Sequence, residues 1–292
     1  MSNKRVNVSE TIFYCCNYAL FVFLTIACIY PFYYILIYSI SDPTKAAGGL
    51  FLLPKGINFV NYENLLNMKI IYSTFLISLL RTIIGTLITV ACCTFFSYIV
   101  TKQELYFRKL IYRFVVITLY FNAGLIPWYL TMKLLHLDNN FLLYVLPMAI
   151  NGFYIVLIKT FIEQLPAALE ESAMMDGAGY LKIFRNIIVP LSMPIIATIA
   201  VFAAVDQWNA WQDNYFLVTK ESLQTLQVML YNYLNSAVST NPMDVLDGAE
   251  NKVTPESIKM TMTMIVTLPI LLVYPFMQRF FVKGIMLGAV KG

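Results

Sequence analysis

Residues Pro166–Pro194 read PAALEESAMMDGAGYLKIFRNIIVPLSMP, a polar interval between two strongly apolar ones. Ala167, Ala168, Ser172, Ala173, Gly177, Ala178 and Gly179 are small, and Glu170, Glu171 and Asp176 are acidic. Pro166 suits a helix start, because its missing N–H is one that a first turn leaves unpaired. Gly177 after Asp176 suits a helix end, because glycine accepts left-handed dihedrals. The pattern predicts a helix of about three turns between two apolar runs. Small side chains let another backbone approach closely, and the acids supply oriented charge. The segment therefore reads as a docking element carried on a membrane body.

The composition defines that body. The chain has 292 residues, of which 59% are hydrophobic and 12% charged, with a mean hydropathy of +0.70. Soluble domains are about 25% charged. The apolar residues fall in long runs divided by short polar stretches, which predicts an all-α polytopic membrane protein with six spans. These run over about 11–40, 71–101, 108–134, 139–163, 184–210 and 258–282, as one transmembrane domain over 1–292. The first follows Lys4 and Arg5 but is too long for a signal-peptide core and has no small-residue cleavage site, so it reads as a retained span. Pro31, Pro190, Pro194, Pro269 and Pro275 fall within spans, where neighbouring helices can re-satisfy the freed carbonyls.

Orientation follows from lysine and arginine. With six spans, the side holding both termini carries twelve of these residues, among them Lys102, Arg108, Lys159, Lys182 and Lys283; the opposite loops carry seven. Both termini and the 166–180 segment are thus expected in the cytoplasm. The opposite face receives two substantial loops, 41–70 and 211–257. The second holds TLQVMLYNYL and then the acidic STNPMDVLDGAENKVTPES. Loops of that length are commonly functional or disordered. Each reads either as a solvated flap or as a contact for a partner.

Chemistry-bearing residues are sparse. Cys15, Cys16, Cys28, Cys92 and Cys93 sit in apolar runs without metal-ligand spacing and read as small buried hydrophobes. His136 is the single histidine, in the LLHLDNN loop. Arg81 lies inside the second span, either as a functional intramembrane charge or snorkelling to the interface. No GxxxxGK[ST], HExxH, CxxC or GxSxG motif occurs, so ATP binding through a phosphate loop is not expected of this chain. The net charge of +4 is small, and no nucleic-acid partner is expected. Asp206, Gln207, Asn209, Gln212, Asp213 and Asn214 cluster about Trp208 and Trp211. Rings interleaved with amides and carboxylates grip sugars, the ring stacking on the apolar sugar face; an interfacial aromatic belt has the same composition. Asp206, Trp208, Asn209 and Trp211 are the candidates for a substrate path or a binding-protein contact.

Glu171-Ser172-Ala173, three residues, Gly177, nine residues, then Ile187 to Pro190 resembles the EAA loop of ABC importer permeases, written E-A-A, three residues, G, nine residues, I-x-L-P. Ser172 replaces the middle alanine and Val189 the leucine before proline. Trp208-Asn209 with Trp211, followed by Thr225-Leu226-Gln227, is similar to the WNxW…TL segment of the carbohydrate-importer subset. Gln278–Gly284 with Gly288–Gly292 resembles the QRFFVKG…GAVKG ending of the maltose-permease-like second subunit. Within the subset the chain is similar to the branch importing oligosaccharides and uronate-type polysaccharides.

The resemblance implies a MetI-like permease fold and a non-catalytic subunit in a bacterial inner membrane. The implied partners are a second permease, a cytoplasmic ATPase dimer that binds ATP and Mg, an extracytoplasmic solute-binding protein and an oligosaccharide. Glu170, Glu171, Ser172, Ala173, Asp176 and Gly177 would couple to the ATPase, and Val290, Lys291 and Gly292 would touch it from the C-terminus. A permease for another solute class remains an alternative. An ion-driven transporter or membrane enzyme is a more distant one, since Arg81 is nearly alone as a charge deep in a span.

Overall fold

The computed structural model describes residues 8–46, 48–49, 52–236 and 254–289. Among them no strand is found beyond an isolated bridge between Ser41 and Ile57. The principal helices are α1 (Val8–Ser39), α2 (Lys69–Thr101), α3 (Arg108–Tyr120), α4 (Leu125–Leu134), α5 (Gly152–Ile162), α6 (Ala168–Met175), α7 (Met193–Asn209), α8 (Leu226–Ser236) and α9 (Pro255–Ala289). The chain divides into two compact units, one of 1–68 with 233–267 and one of 69–232 with 268–292.

In the first unit, α1 exposes an almost continuous apolar surface, from Ile12 and Phe13 to Tyr33 and Leu36. Cys15, Cys16 and Cys28 are exposed on it rather than buried as the sequence suggests; Cys93 alone of the five is buried. A helix this long and apolar is suited to lipid contact. The helix continues through Pro31. Polar contacts fix the turn that follows. Ser39 Oγ and Tyr62 Oη are 2.8 Å apart, Asp42 Oδ1 accepts from Thr44 N at 3.0 Å, and Ser257 Oγ donates to Asn61 Oδ1 at 3.1 Å. Hydrogen bonds from Thr44, first from its hydroxyl and then from its backbone N–H, hold the Asp42 carboxyl below the usual range.

The second unit is built on α2. Its buried stripe of Thr74, Ser78, Arg81, Gly85, Thr89, Cys93 and Ser97 recurs at helical spacing and faces α7 and α5. Small and hydroxyl residues bring helices close when lipid leaves no hydrophobic drive between them: Thr89 Oγ1 donates to Met148 O at 2.8 Å and Ser97 Oγ to Ile155 O at 3.1 Å. Cys93, Tyr98, Ile155, Ile158, Ile188 and Ile199 form the main core. A second core gathers Met132, Leu143, Tyr144 and Leu217. At Gly152 a Cβ would stand 2.9 Å from Leu119 Cδ2 and 3.2 Å from Val115 O, so glycine permits the close approach of α3 and α5.

Among the described residues three helices, Ser9–Ser39, Lys69–Thr101 and Pro255–Val273, are long and apolar enough to cross a membrane, and Tyr180–Leu191 with Met193–Asn209 qualifies as one bent pair. The other predicted spans are interrupted. The 108–134 run breaks between α3 and α4, where Gly124 adopts φ 85° and Asn122 Oδ1 accepts from Gly124 N at 2.9 Å. The 139–163 run holds a short helix, Leu142–Val145, then Pro147, then α5. Asn151 starts α5 by accepting from Phe153 N at 2.9 Å and Tyr154 N at 3.3 Å. The 11 residues of α5 rise about 16 Å, roughly half of a hydrocarbon core. In the 184–210 run, a π-turn over Phe184–Ile188 precedes an 80° bend at Ser192. Pro194 there lacks the N–H that would continue the ladder from Pro190.

Candidate functional site

Two polar regions of the second unit carry the candidate residues. The first is α6. It buries none of its residues, yet its faces differ. Ala173 and Ala178 pack on the main core. Glu170 is half-buried and forms an ion pair with Lys102, just beyond the end of α2. Lys102 Nζ also lies 4.0 Å from the Tyr98 ring centroid. Glu171, Ser172, Asp176 and Gly177 are exposed, as is Met175 at 89%. Gly177 takes φ 75°, and its N–H donates to Met174 O at 3.0 Å while Ala178 N donates to Ala173 O at 2.9 Å. That left-handed close is the one the sequence predicts. Of the six residues singled out in the sequence, Ala173 and Glu170 therefore face the chain's own body. A groove of about 550 Å³ runs beside the helix, with Lys102, Arg108, Glu170, Glu171 and Met174 on its walls.

The second region lies around the C-terminal end of α7. Arg81, 1% exposed, is the largest fully buried side chain among the described residues. It does not snorkel. Its Nη1 and Nη2 donate to Asp213 Oδ1 at 3.0 Å and Oδ2 at 2.5 Å. Nε donates to Gln207 Oε1 at 3.1 Å, and Nη1 also to Ala210 O at 3.1 Å. The guanidinium stacks 4.6 Å from the Tyr144 ring centroid. A charge withdrawn from water persists only when paired and hydrogen-bonded in this way. Asp213 lies in the first turn of the short helix Gln212–Leu217. Next to it, Asn214 donates to Tyr144 Oη and, at 3.2 Å, to Leu223 O. Gly85 admits the Gln207 amide: a Cβ there would meet Gln207 Nε2 at 2.5 Å.

This network backs a cavity of about 770 Å³ lined by Trp128, Asp206, Asn209, Trp211, Gln212 and Asp213, among others. Tyr154 Oη donates to Asp206 Oδ2 at 2.5 Å. Trp211 stacks on Tyr231, with ring centroids 4.4 Å apart and planes inclined by 16°. Asn209 Nδ2 donates to Val205 O at 2.9 Å, and its Oδ1 accepts from Gln227 at 3.2 Å. Trp208 does not line this cavity. It is buried, packs edge-on against Phe75 and faces an apolar recess with Val205, Pro269 and Val273. Helix α7 explains the separation: Trp208 is still helical on the α2-facing side, while Trp211 lies beyond the last turn. Trp128, three residues into α4 and overlooked in the sequence, takes its place on the cavity wall. Its signal was the Gly124–Pro127 break just before it.

Val290, Lys291 and Gly292 lie outside the described residues, as does the 237–253 part of the 211–257 loop. Among the described residues no group of three His, Cys, Asp or Glu side chains could hold a metal ion.

Long apolar helices, a bent helix pair and an exposed acidic helix between them define a membrane transport component. Residues 94–287 match the family described as binding-protein-dependent transport system inner membrane component, and the chain belongs to that family. It is 34% identical over 278 residues to the polygalacturonan/rhamnogalacturonan transport system permease protein YtcP of Bacillus subtilis (strain 168), covering 94% of this chain and 96% of that one. It is 35% identical over 268 residues to protein LplC of the same organism, covering 90% of each. A solved bacterial ABC transporter involved in the import of the acidic polysaccharide alginate contains a chain of similar structure. The TM-score is 0.88 at 28% identity, over 94% of this chain and 98% of that one. The chain is thus an ABC permease subunit with a MetI-like fold.

Proposed function

We propose that this chain is the membrane subunit of an ATP-driven importer of oligosaccharides, paired with a second permease and served by a solute-binding protein. Helix α6 docks on a cytoplasmic ATPase subunit through Glu171, Ser172 and Asp176, while Glu170 and Ala173 anchor it to the body. The exposed rim of α6, fixed from behind by the Lys102–Glu170 ion pair, is the observation that carries this reading. ATP and Mg belong to the ATPase, whose closure would move α6 and, with it, the body.

The chain crosses the membrane six times in this reading, with its third and fourth crossings made of broken helices. Both termini lie in the cytoplasm, in keeping with twelve lysine and arginine residues on that side against seven on the other. That orientation puts the cavity of Trp128, Asp206 and Trp211 toward the extracytoplasmic face. Its rings and amides match what a sugar requires, and both YtcP and the solved alginate transporter named above are described by the polysaccharides they transport. Glu171→Lys tests the docking assignment: membrane insertion should persist while substrate-stimulated ATP hydrolysis by the assembled transporter is lost. Full coupling in that variant contradicts it.

A further inference from the structure

The cavity carries a charge pattern that its shape and aromatic lining leave unspecified. Among the described residues lining it are two carboxylates, Asp206 and Asp213, and no lysine or arginine. The two are not equivalent. Asp213 is 8% exposed, and both of its oxygens are taken by the Arg81 guanidinium behind the wall. Asp206 is exposed. Its Oδ2 accepts one neutral hydrogen bond, from Tyr154, and no cation among the described residues is paired with it. Arg81 uses four of its five N–H donors on Asp213, Gln207 and Ala210 and is 1% exposed, so its charge stays behind the wall, paired with Asp213.

A smaller cavity of about 130 Å³ adjoins the first and shares Asp206, Pro147 and Met148 with it. Gln207 also lines it, with its Nε2 buried against Gly85 and without a hydrogen-bond partner among the described residues. Gln212 adds an exposed amide beside Trp211. The site thus presents two indole surfaces, amide groups and one carboxylate without a counter-cation.

We propose that Asp206 sets the charge selectivity of this subunit's wall, so that it accepts neutral oligosaccharides and excludes polyuronates. Hydroxyls donate to the free Asp206 oxygen and accept from the amides, while the apolar faces of the sugar rings lie on Trp211 and Trp128. A polyuronate carries a carboxylate on each ring. Brought into a partly dry cavity, it meets Asp206 with no cation to offset the repulsion, and like charges placed across an interface suppress the wrong partner. This would set the chain apart from those relatives whose names carry acidic polysaccharides. The inference rests on the saccharide reading above.

The test uses the assembled transporter, purified without its binding protein, and follows quenching of intrinsic tryptophan fluorescence. One probe is a panel of neutral hexasaccharides and the other is hexagalacturonate. A neutral sugar should bind at least about tenfold more tightly than hexagalacturonate, a ratio of the size that one unpaired like-charge contact produces. Asp206→Asn should narrow that ratio, and Asp206→Glu should keep it. Hexagalacturonate binding as tightly as any neutral sugar overturns the proposal while leaving the saccharide reading standing; so does a ratio that Asp206→Asn leaves unchanged. Failure of every saccharide to bind overturns both. If Asp206→Asn does not assemble, the wild-type ratio with Asp206→Glu decides.

Discussion

The two polar regions sit on the same helix and use charge in opposite ways. Arg81 and Lys102 are separated by about 30 Å along α2 and its extension, and each meets one carboxylate. At Arg81 the pair is sealed. The guanidinium is 1% exposed, the carboxylate is bidentate, and a ring covers the group. At Lys102 the pair is half open, and the next residue along α6, Glu171, points to solvent. A sealed pair fixes geometry, because neither partner has anywhere else to go. An open pair beside free acids leaves a surface that another protein can engage. The first region is therefore a clamp that shapes a cavity, and the second is a handle.

Breaking the clamp should have the largest effect. Arg81→Ala or Asp213→Ala strands a buried charge and should destabilise the folded subunit by about 3–5 kcal/mol, read as loss of assembled complex or a large fall in Tm. The double replacement Arg81→Met with Asp213→Leu should recover most of that loss. Recovery would separate the cost of an orphaned charge from the worth of the pair. Next in size, Gly85→Ala pushes a methyl group against the Gln207 amide and should cost about 1–3 kcal/mol in thermal unfolding. Asn151→Ala removes the cap that starts α5 just before Tyr154 and should cost about 1 kcal/mol. Lys102→Gln should be mildest, about 1 kcal/mol or less, since the pair is partly solvated. A Lys102 effect as large as that of Arg81 would erase the distinction between clamp and handle.

The handle was the more legible of the two. Its helix, its glycine close and its exposed acids are local, within ten residues of one another, and local pattern is what sequence carries. The inward turn of Glu170 was not legible, because Lys102 lies 68 positions away. The clamp was hidden for the same reason: Asp213 is 132 positions from Arg81. An isolated arginine in a span demands a partner, but several acids were available. The long spans at 69–101 and 255–289 follow from continuous apolar composition. The breaks at 121–124 and 146–151 do not, since mostly apolar residues continue across them, and Asn122, Gly124, Pro127, Pro147 and Asn151 are the local signs. Trp208 and Trp211 looked alike in the sequence and parted only because α7 ends between them.

The docking role of α6 is the central claim, and a cross-link tests it most directly. Met175 projects from the helix and is 89% exposed in the chain alone. In a cysteine-free transporter, Met175→Cys should form a single disulfide or short-linker product with a cysteine scanned along the ATPase surface, with a yield that changes when ATP binds. A cysteine at Asp206 should form none. A transporter that assembles and hydrolyses ATP normally, yet gives no product from Met175→Cys at any ATPase position, would contradict the account.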